Sequence, residues 1–236
     1  MRRAVRAARG LLGPRHPGHV VPTAELGALS LPVGDDGVVI GDDAEGRSLT
    51  LGLHRATRYD VVLIGGLWTA QVLALRAAGT GARVAVETGR VEAWTTLAQS
   101  AGAGLECVTL HQVGRVPPMG AIVSDPVVVV RDCGMRPPRG RVVSSPWQSV
   151  VTLLPYLSPV APRLLRDATL VGVQQVSPQE AEQIGRILGL SRDEVATLPT
   201  LTDGVTLWCS GRERHWVRTA PTDPEVGLLG SPRRMD

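Results

Sequence analysis

Residues Arg58 to Glu87, RYDVVLIGGLWTAQVLALRAAGTGARVAVE, constrain this chain more than any other stretch. Val61–Ile64 is an unbroken apolar run of strand length, and Gly65-Gly66 supplies a turn. Leu67 to Ala78 has helical length and composition; Gly79–Gly81 is a second turn, and Arg83–Val86 a second buried strand. Strand, glycine turn, helix, strand is the βαβ unit that holds nucleotides, because a helix N-terminus offers N–H groups and positive dipole to a phosphate. Whether this turn still holds anything depends on its side chains.

Around this unit the pattern continues. Val38–Ile40 and Ser48–Leu53 flank the turn residues Asp42-Asp-Ala-Glu-Gly46, which predicts a β-hairpin. Glu92–Ser100 reads as a helix and Leu105–Leu110 as a strand. Four consecutive valines (Val127–Val130) leave no solvent face, so this strand is buried on both sides, as is Thr169–Gln175. A further β-like run spans Val142–Leu154, and a short helix Pro159–Arg166. Ser177-Pro-Gln-Glu180 and Ser191-Arg-Asp-Glu194 are capping boxes that start two helices; Ala181, Ile184 and Leu188 stripe the first, and Gly189 ends it. Gly204–Cys209 and Arg214–Thr219 flank a second hairpin turn. The expected fold is α/β, with a mostly parallel central sheet, flanking helices and antiparallel edge hairpins closing both ends. Residues 1–30 are expected to form a flexible basic arm, 31–220 a single α/β domain and 221–236 an irregular tail. Within the arm, Val5, Ala8 and Leu12 share helical spacing.

Composition removes several chemistries. All 25 basic residues are Arg, so no lysine can clamp a phosphate, form a Schiff base or serve as an amine base. The three cysteines (Cys107, Cys133, Cys209) lie far apart without ligand spacing, which fits free core thiols of a cytosolic protein and predicts no metal site. Arg2, Arg3, Arg6, Arg9 and Arg15 crowd the arm, where they can meet a partner's acidic face or anionic lipid. The longest apolar run is short for a bilayer, and the first residues hold no continuous apolar stretch of a secretory signal. The expected location is the cytoplasm, with contact to the inner face of the membrane through the arm.

Two nucleotide-binding patterns compete at the turn. For a dinucleotide (FAD or NAD), Gly65 and Gly66 open well and Glu87 ends the second strand as a ribose-binding acid would. However, Leu67 stands where the second fingerprint glycine must let backbone approach the pyrophosphate, and Trp68 fills the space beside it. For a P-loop, Gly65 is kept, Ala70 replaces the second glycine, Gln71 the lysine and Val72 the magnesium-binding hydroxyl. Val127–Asp132 is Walker-B-like and ends in Asp132, with no glutamate after it. No other catalytic arrangement is legible. His16, His19, His54, His111 and His215 are scattered, the carboxylates form no pair, and the five tryptophans stand in for Phe, which is absent.

The wider chain resembles the FtsK/HerA group of motor ATPases, especially the ATPase domains of actinobacterial type VII (ESX) secretion motors. The hairpin Val38–Leu51 is similar to the one preceding their Walker A strand, with Ser48 in place of a proline. The degenerate Walker A slot follows at the expected distance. Leu170–Pro178 resembles their late strand ending in a sensor glutamine, with Gln175 as the match, and Arg186–Leu207 resembles their closing segment. The resemblance implies a P-loop framework whose catalytic positions are lost: a pseudo-ATPase with no cofactor, acting through protein contacts in a secretion or motor complex. A flavin- or NAD-binding oxidoreductase using Gly65, Gly66 and Glu87 is the alternative.

Overall fold

The computed structural model describes residues 37–102, 106–135, 137–138 and 142–234. These belong to one unit spanning Asp35–Asp236. The arginine-rich arm, its helical spacing and part of the 136–141 loop lie outside the described residues.

Ten strands form a single sheet. The chain opens with the hairpin β1 (Val38–Asp42) and β2 (Ser48–Leu51), then runs β3 (Tyr59–Ile64), α1 (Leu67–Gly79), β4 (Arg83–Thr88), α2 (Glu92–Ser100) and β5 (Val108–Gln112). It continues through β6 (Val127–Asp132), β7 (Gln148–Leu154), α3 (Ala161–Asp167), β8 (Leu170–Val173), α4 (Pro178–Leu188) and α5 (Arg192–Thr197). The hairpin β9 (Val205–Ser210) and β10 (Glu213–Arg218) and the helix α6 (Asp223–Leu229) complete it. The strand order is β2-β1-β10-β9-β8-β3-β7-β6-β4-β5. From β8 to β5 every pairing is parallel, and from β8 to β2 every pairing is antiparallel.

The four apolar runs read as central strands are indeed mutually parallel members of this sheet. The hairpins, expected to close opposite ends, instead join each other. Asp42 of β1 pairs with Arg218 of β10, so both hairpins extend one side and β5 is a parallel strand at the other edge. Alternating hydropathy sets which face a strand buries but carries no information about which distant strand lies beside it. The strand placed at Leu105–Leu110 starts later, at Val108.

One face of the sheet is covered by α1, α2 and α6 over a core containing Val61, Leu63, Val84, Val86, Val128 and Val130, with Trp68 and Trp94 fully buried. On the other face α3 and α4 cover Val62, Ile64, Val171 and Val173. Beyond them Ala85, Val127, Val129 and Val150 pack, among the described residues, against Val116, Met119, Ala121 and Val142, which come from loops. Both capping boxes are formed: Ser177 accepts from the Glu180 amide and Ser191 from the Glu194 amide. The segment expected to be an irregular tail contains α6, started by a third capping box, Thr222 with Glu225. Thr222-Asp-Pro-Glu225 carried that signal in the sequence. With only seven residues and no clear apolar stripe, α6 offered little else to read.

Candidate functional site

The Gly65-Gly66 turn joins the C-terminal end of β3 to α1, the end of a parallel strand where α/β proteins bind ligands. Here the turn is occupied by the chain itself. The Gly66 N–H donates to Gln174 Oε1 at 2.8 Å. Gln174 is buried, and its amide nitrogen donates to Thr69 Oγ1 (2.7 Å) and Thr206 Oγ1 (3.3 Å). A Cβ at Gly65 would lie 2.5 Å from Gln174 Oε1, so that glycine makes room for Gln174. A Cβ at Gly66 would lie 2.6 Å from the Arg234 carbonyl oxygen and 2.8 Å from that of Arg233. Both glycines are therefore required by contacts within the chain.

The residues in the Walker A slot point into the protein. Ala70 and Val72 are core residues. Gln71 is buried and donates from Nε2 to the Ala93 carbonyl at 2.7 Å, tying α1 to the start of α2. Trp68 is fully buried, and its indole N–H donates to the Gly230 carbonyl at 3.0 Å. Gln175, the residue matched to a sensor, donates to the Pro199 carbonyl (3.1 Å) and is exposed. Its neighbour Gln174 is the one at the turn, because successive side chains leaving a strand point to opposite sides.

Asp132 ends β6 two strands away from β3, with β7 between them. Its carboxylate is 2% exposed and accepts four hydrogen bonds around it: Arg90 Nε (2.9 Å) and Nη2 (3.0 Å), Thr88 Oγ1 (3.1 Å) and Trp94 Nε1 (2.9 Å). This arrangement satisfies both oxygens and fixes α2 to the sheet.

Glu87 lies farther away. Its strand, β4, is three positions from β3, about 14 Å at the usual strand spacing. A dinucleotide fold places the ribose acid on the strand next to the glycine turn. Glu87 also faces away from α1, sharing its side of β4 with Ala85 rather than with Val84 and Val86. It is fully buried, paired with Arg131 Nε at 2.6 Å, and accepts the Gly114 N–H at 2.7 Å. Burial alone would raise its pKa, but the guanidinium and the amide outweigh that and hold the carboxyl below its ordinary value. The structure therefore does not bring Glu87 together with Gly65 and Gly66.

The segment that follows α6 was missed as part of this region. Arg76 of α1 holds Glu225 of α6 through two hydrogen bonds (2.7 and 2.8 Å) and also donates to the carbonyls of Val39 and Ala220. Arg234 then donates from its guanidinium to Pro155 O (2.6 Å), just after β7, and to Gln175 O (2.9 Å), just after β8. Its backbone N–H donates to Asp203 Oδ1 at 3.0 Å. The paired arginines in Ser231-Pro-Arg-Arg234 were the only sequence sign of this docking.

Elsewhere, a cleft of about 380 Å³ on the opposite face is lined by Asp60, Arg131, Thr152 and Arg163, among others. Its ionic groups have partners within the chain: Asp60 accepts from the Ser144 hydroxyl, Arg131 pairs with Glu87, and Arg163 with Asp167. Burial and the neighbouring Glu87 push the Cys133 thiol up to about 12, and burial pushes Cys209 up to about 11, so neither is a thiolate at neutral pH. Among the described residues no cluster of three His, Cys, Asp or Glu could hold a metal, and no helix is long and apolar enough to cross a membrane. His111 bonds Thr109 on the edge strand β5 and His215 is exposed on β10; His16 and His19 lie outside the described residues.

No family model and no curated protein sequence matches the chain. Solved structures do share its fold. VirB4 of Thermoanaerobacter pseudethanolicus superposes with a TM-score of 0.55 at 10% identity, covering 80% of this chain and 98% of that one. The cytoplasmic domain of EssC gives 0.51 at 10% identity, covering 85% of this chain and 48% of its own. The genome packaging NTPase B204 from Sulfolobus turreted icosahedral virus 2, in complex with AMPPCP, gives 0.50 at 9% identity, covering 70% of this chain and 99% of that one. The chain thus shares the α/β P-loop NTPase fold of these structures.

Proposed function

We propose that this chain is a catalytically silent P-loop ATPase-like domain that acts through protein contacts as an accessory of a secretion or translocation machine of the type VII kind. The observation that carries the reading is the state of the turn. Gln174 takes the Gly66 N–H, and carbonyl oxygens of Arg233 and Arg234 stand against Gly66. Phosphoryl transfer needs a cation on the transferred phosphate, a hydroxyl on Mg²⁺ and a carboxylate to orient water. Gln71 and Val72 replace the first two, and Asp132 is held by Arg90, Thr88 and Trp94. Loss of a single electrostatic contact of this kind costs on the order of 10²- to 10³-fold in rate.

The likeness to VirB4 and EssC supports the choice of machine. A domain that keeps the framework of such motors can offer their contact surfaces without turnover. Its place would be the cytoplasmic face of the membrane, with the arginine-rich arm (Arg2, Arg3, Arg6, Arg9, Arg15) meeting acidic partner surface or anionic lipid. The test is phosphate release from Mg·ATP by the purified chain, alone and mixed with a type VII secretion ATPase. The expected result is no turnover by the chain alone and a changed rate of the ATPase on mixing. Turnover by the chain alone refutes silence, and an unaltered ATPase rate refutes the accessory role.

A further inference from the structure

We infer that the nucleotide position of this fold has become a peptide site, filled by the chain's own Gly230–Arg234. The inference rests on reading the Gly65-Gly66 turn as a P-loop remnant, and goes beyond it by naming what holds the turn.

The geometry is that of a ligand and its receptor. The segment crosses the C-terminal ends of three neighbouring strands. Arg234 donates to Pro155 O beyond β7 and to Gln175 O beyond β8, while its own carbonyl stands against Gly66 beyond β3, the strand between them. A phosphate bound there would be held by the turn amides at the start of α1. Here carbonyl oxygens bring the negative partial charge to the start of α1, and a guanidinium brings the positive charge to strand-end carbonyls.

Three further contacts fix the segment. The Arg234 N–H reaches Asp203 Oδ1 at 3.0 Å. Pro232 packs on Gly204, where an added Cβ would lie 3.2 Å from the proline ring. The indole of Trp68 donates to Gly230 O at 3.0 Å. Trp68 needs an acceptor because it is fully buried, and the Gly230 carbonyl at the start of the segment supplies it. The ligand class is a short peptide bearing an arginine two residues after a proline, recognised by strand-end carbonyls and the Asp203 carboxylate. The domain is then held in one state whether or not nucleotide is present.

The test is a chain ending at Gly230, followed by thermal unfolding. Its Tm should fall by about 5 °C. A synthetic peptide of residues Ser231–Asp236 at about 1 mM, the concentration a short tether supplies, should restore most of that shift. The same peptide carrying Arg234→Ala should not, and neither should Mg·ATP. An unchanged Tm, or a peptide without effect, overturns the inference. So does stabilisation of the shortened chain by Mg·ATP, since the segment would then be a lid over a working nucleotide site.

If the shortened chain does not fold, Arg234→Ala and Gly66→Ala in the full chain provide the reading. Trypsin should cleave after Arg233 at least tenfold faster in both than in the parent, and an unchanged rate overturns the proposal. These results are independent of phosphate release by the intact chain, which tests silence alone.

Discussion

Replacing Arg131 by Met tests whether Glu87 is half of a structural ion pair or a ligand-binding acid. Glu87 is 0% exposed, and apart from Arg131 it accepts the neutral Gly114 amide. Removing one partner of a buried pair leaves an uncompensated charge and typically costs about 3–5 kcal/mol. The cleft beside Arg131 admits water, which relieves part of that cost, so the expected loss is about 3 kcal/mol at pH 7. A chain of this size loses about 2–4 °C of Tm per kcal/mol, giving a fall of about 6–12 °C.

The pH dependence reverses between the two proteins. In the parent the folded carboxyl titrates below its ordinary value of 4.5, so its contribution is complete above that value and is lost as pH falls through the lowered one. In the variant, burial is no longer opposed by the guanidinium and the carboxyl titrates above its unfolded value. Its penalty is greatest at neutral pH and shrinks as acid protonates it. Urea unfolding of both proteins between pH 7 and pH 5 should show the gap narrowing toward acid. A loss below about 1 kcal/mol at pH 7, or a gap that stays constant, would show that Glu87 does not depend on Arg131 for its charge.

Other substitutions separate the remaining contacts. Gln174→Ala should cost about 1–3 kcal/mol in urea unfolding, because it strands the buried Gly66 N–H; a loss within error would mean the turn finds another acceptor. Ser177→Ala should lower stability by about 1 kcal/mol through the α4 cap, and no change would show that the cap is redundant. Arg76→Ala should release α6, seen as faster hydrogen exchange at Val226–Gly230 with the central strands unaltered; equal protection in both proteins would show that packing alone seats the helix.

How much was readable in the sequence follows from which interactions are local. Val61–Ile64, Val127–Val130 and both serine capping boxes could be placed because their signals lie within a few residues. The pairing of β1 with β10 joins residues far apart in sequence, and no local pattern announces it. The same holds at the site. Gly65 and Gly66 are legible as a turn, but the reason for each lies at Gln174 and at Arg233–Arg234, more than a hundred residues away. Glu87 looked like a ribose acid because it ends the next strand in sequence; in space two other strands intervene. Gln175 was matched in place of Gln174 because a one-residue difference in a short strand decides which side chain faces the turn.

Equilibrium binding of labelled ATP with Mg²⁺ to the intact chain asks whether the turn is free. With the Gly66 amide held by Gln174 and carbonyls of Arg233 and Arg234 against the turn, no saturable binding is expected up to millimolar nucleotide. Saturable, magnesium-dependent binding of one nucleotide per chain at micromolar concentration would contradict it.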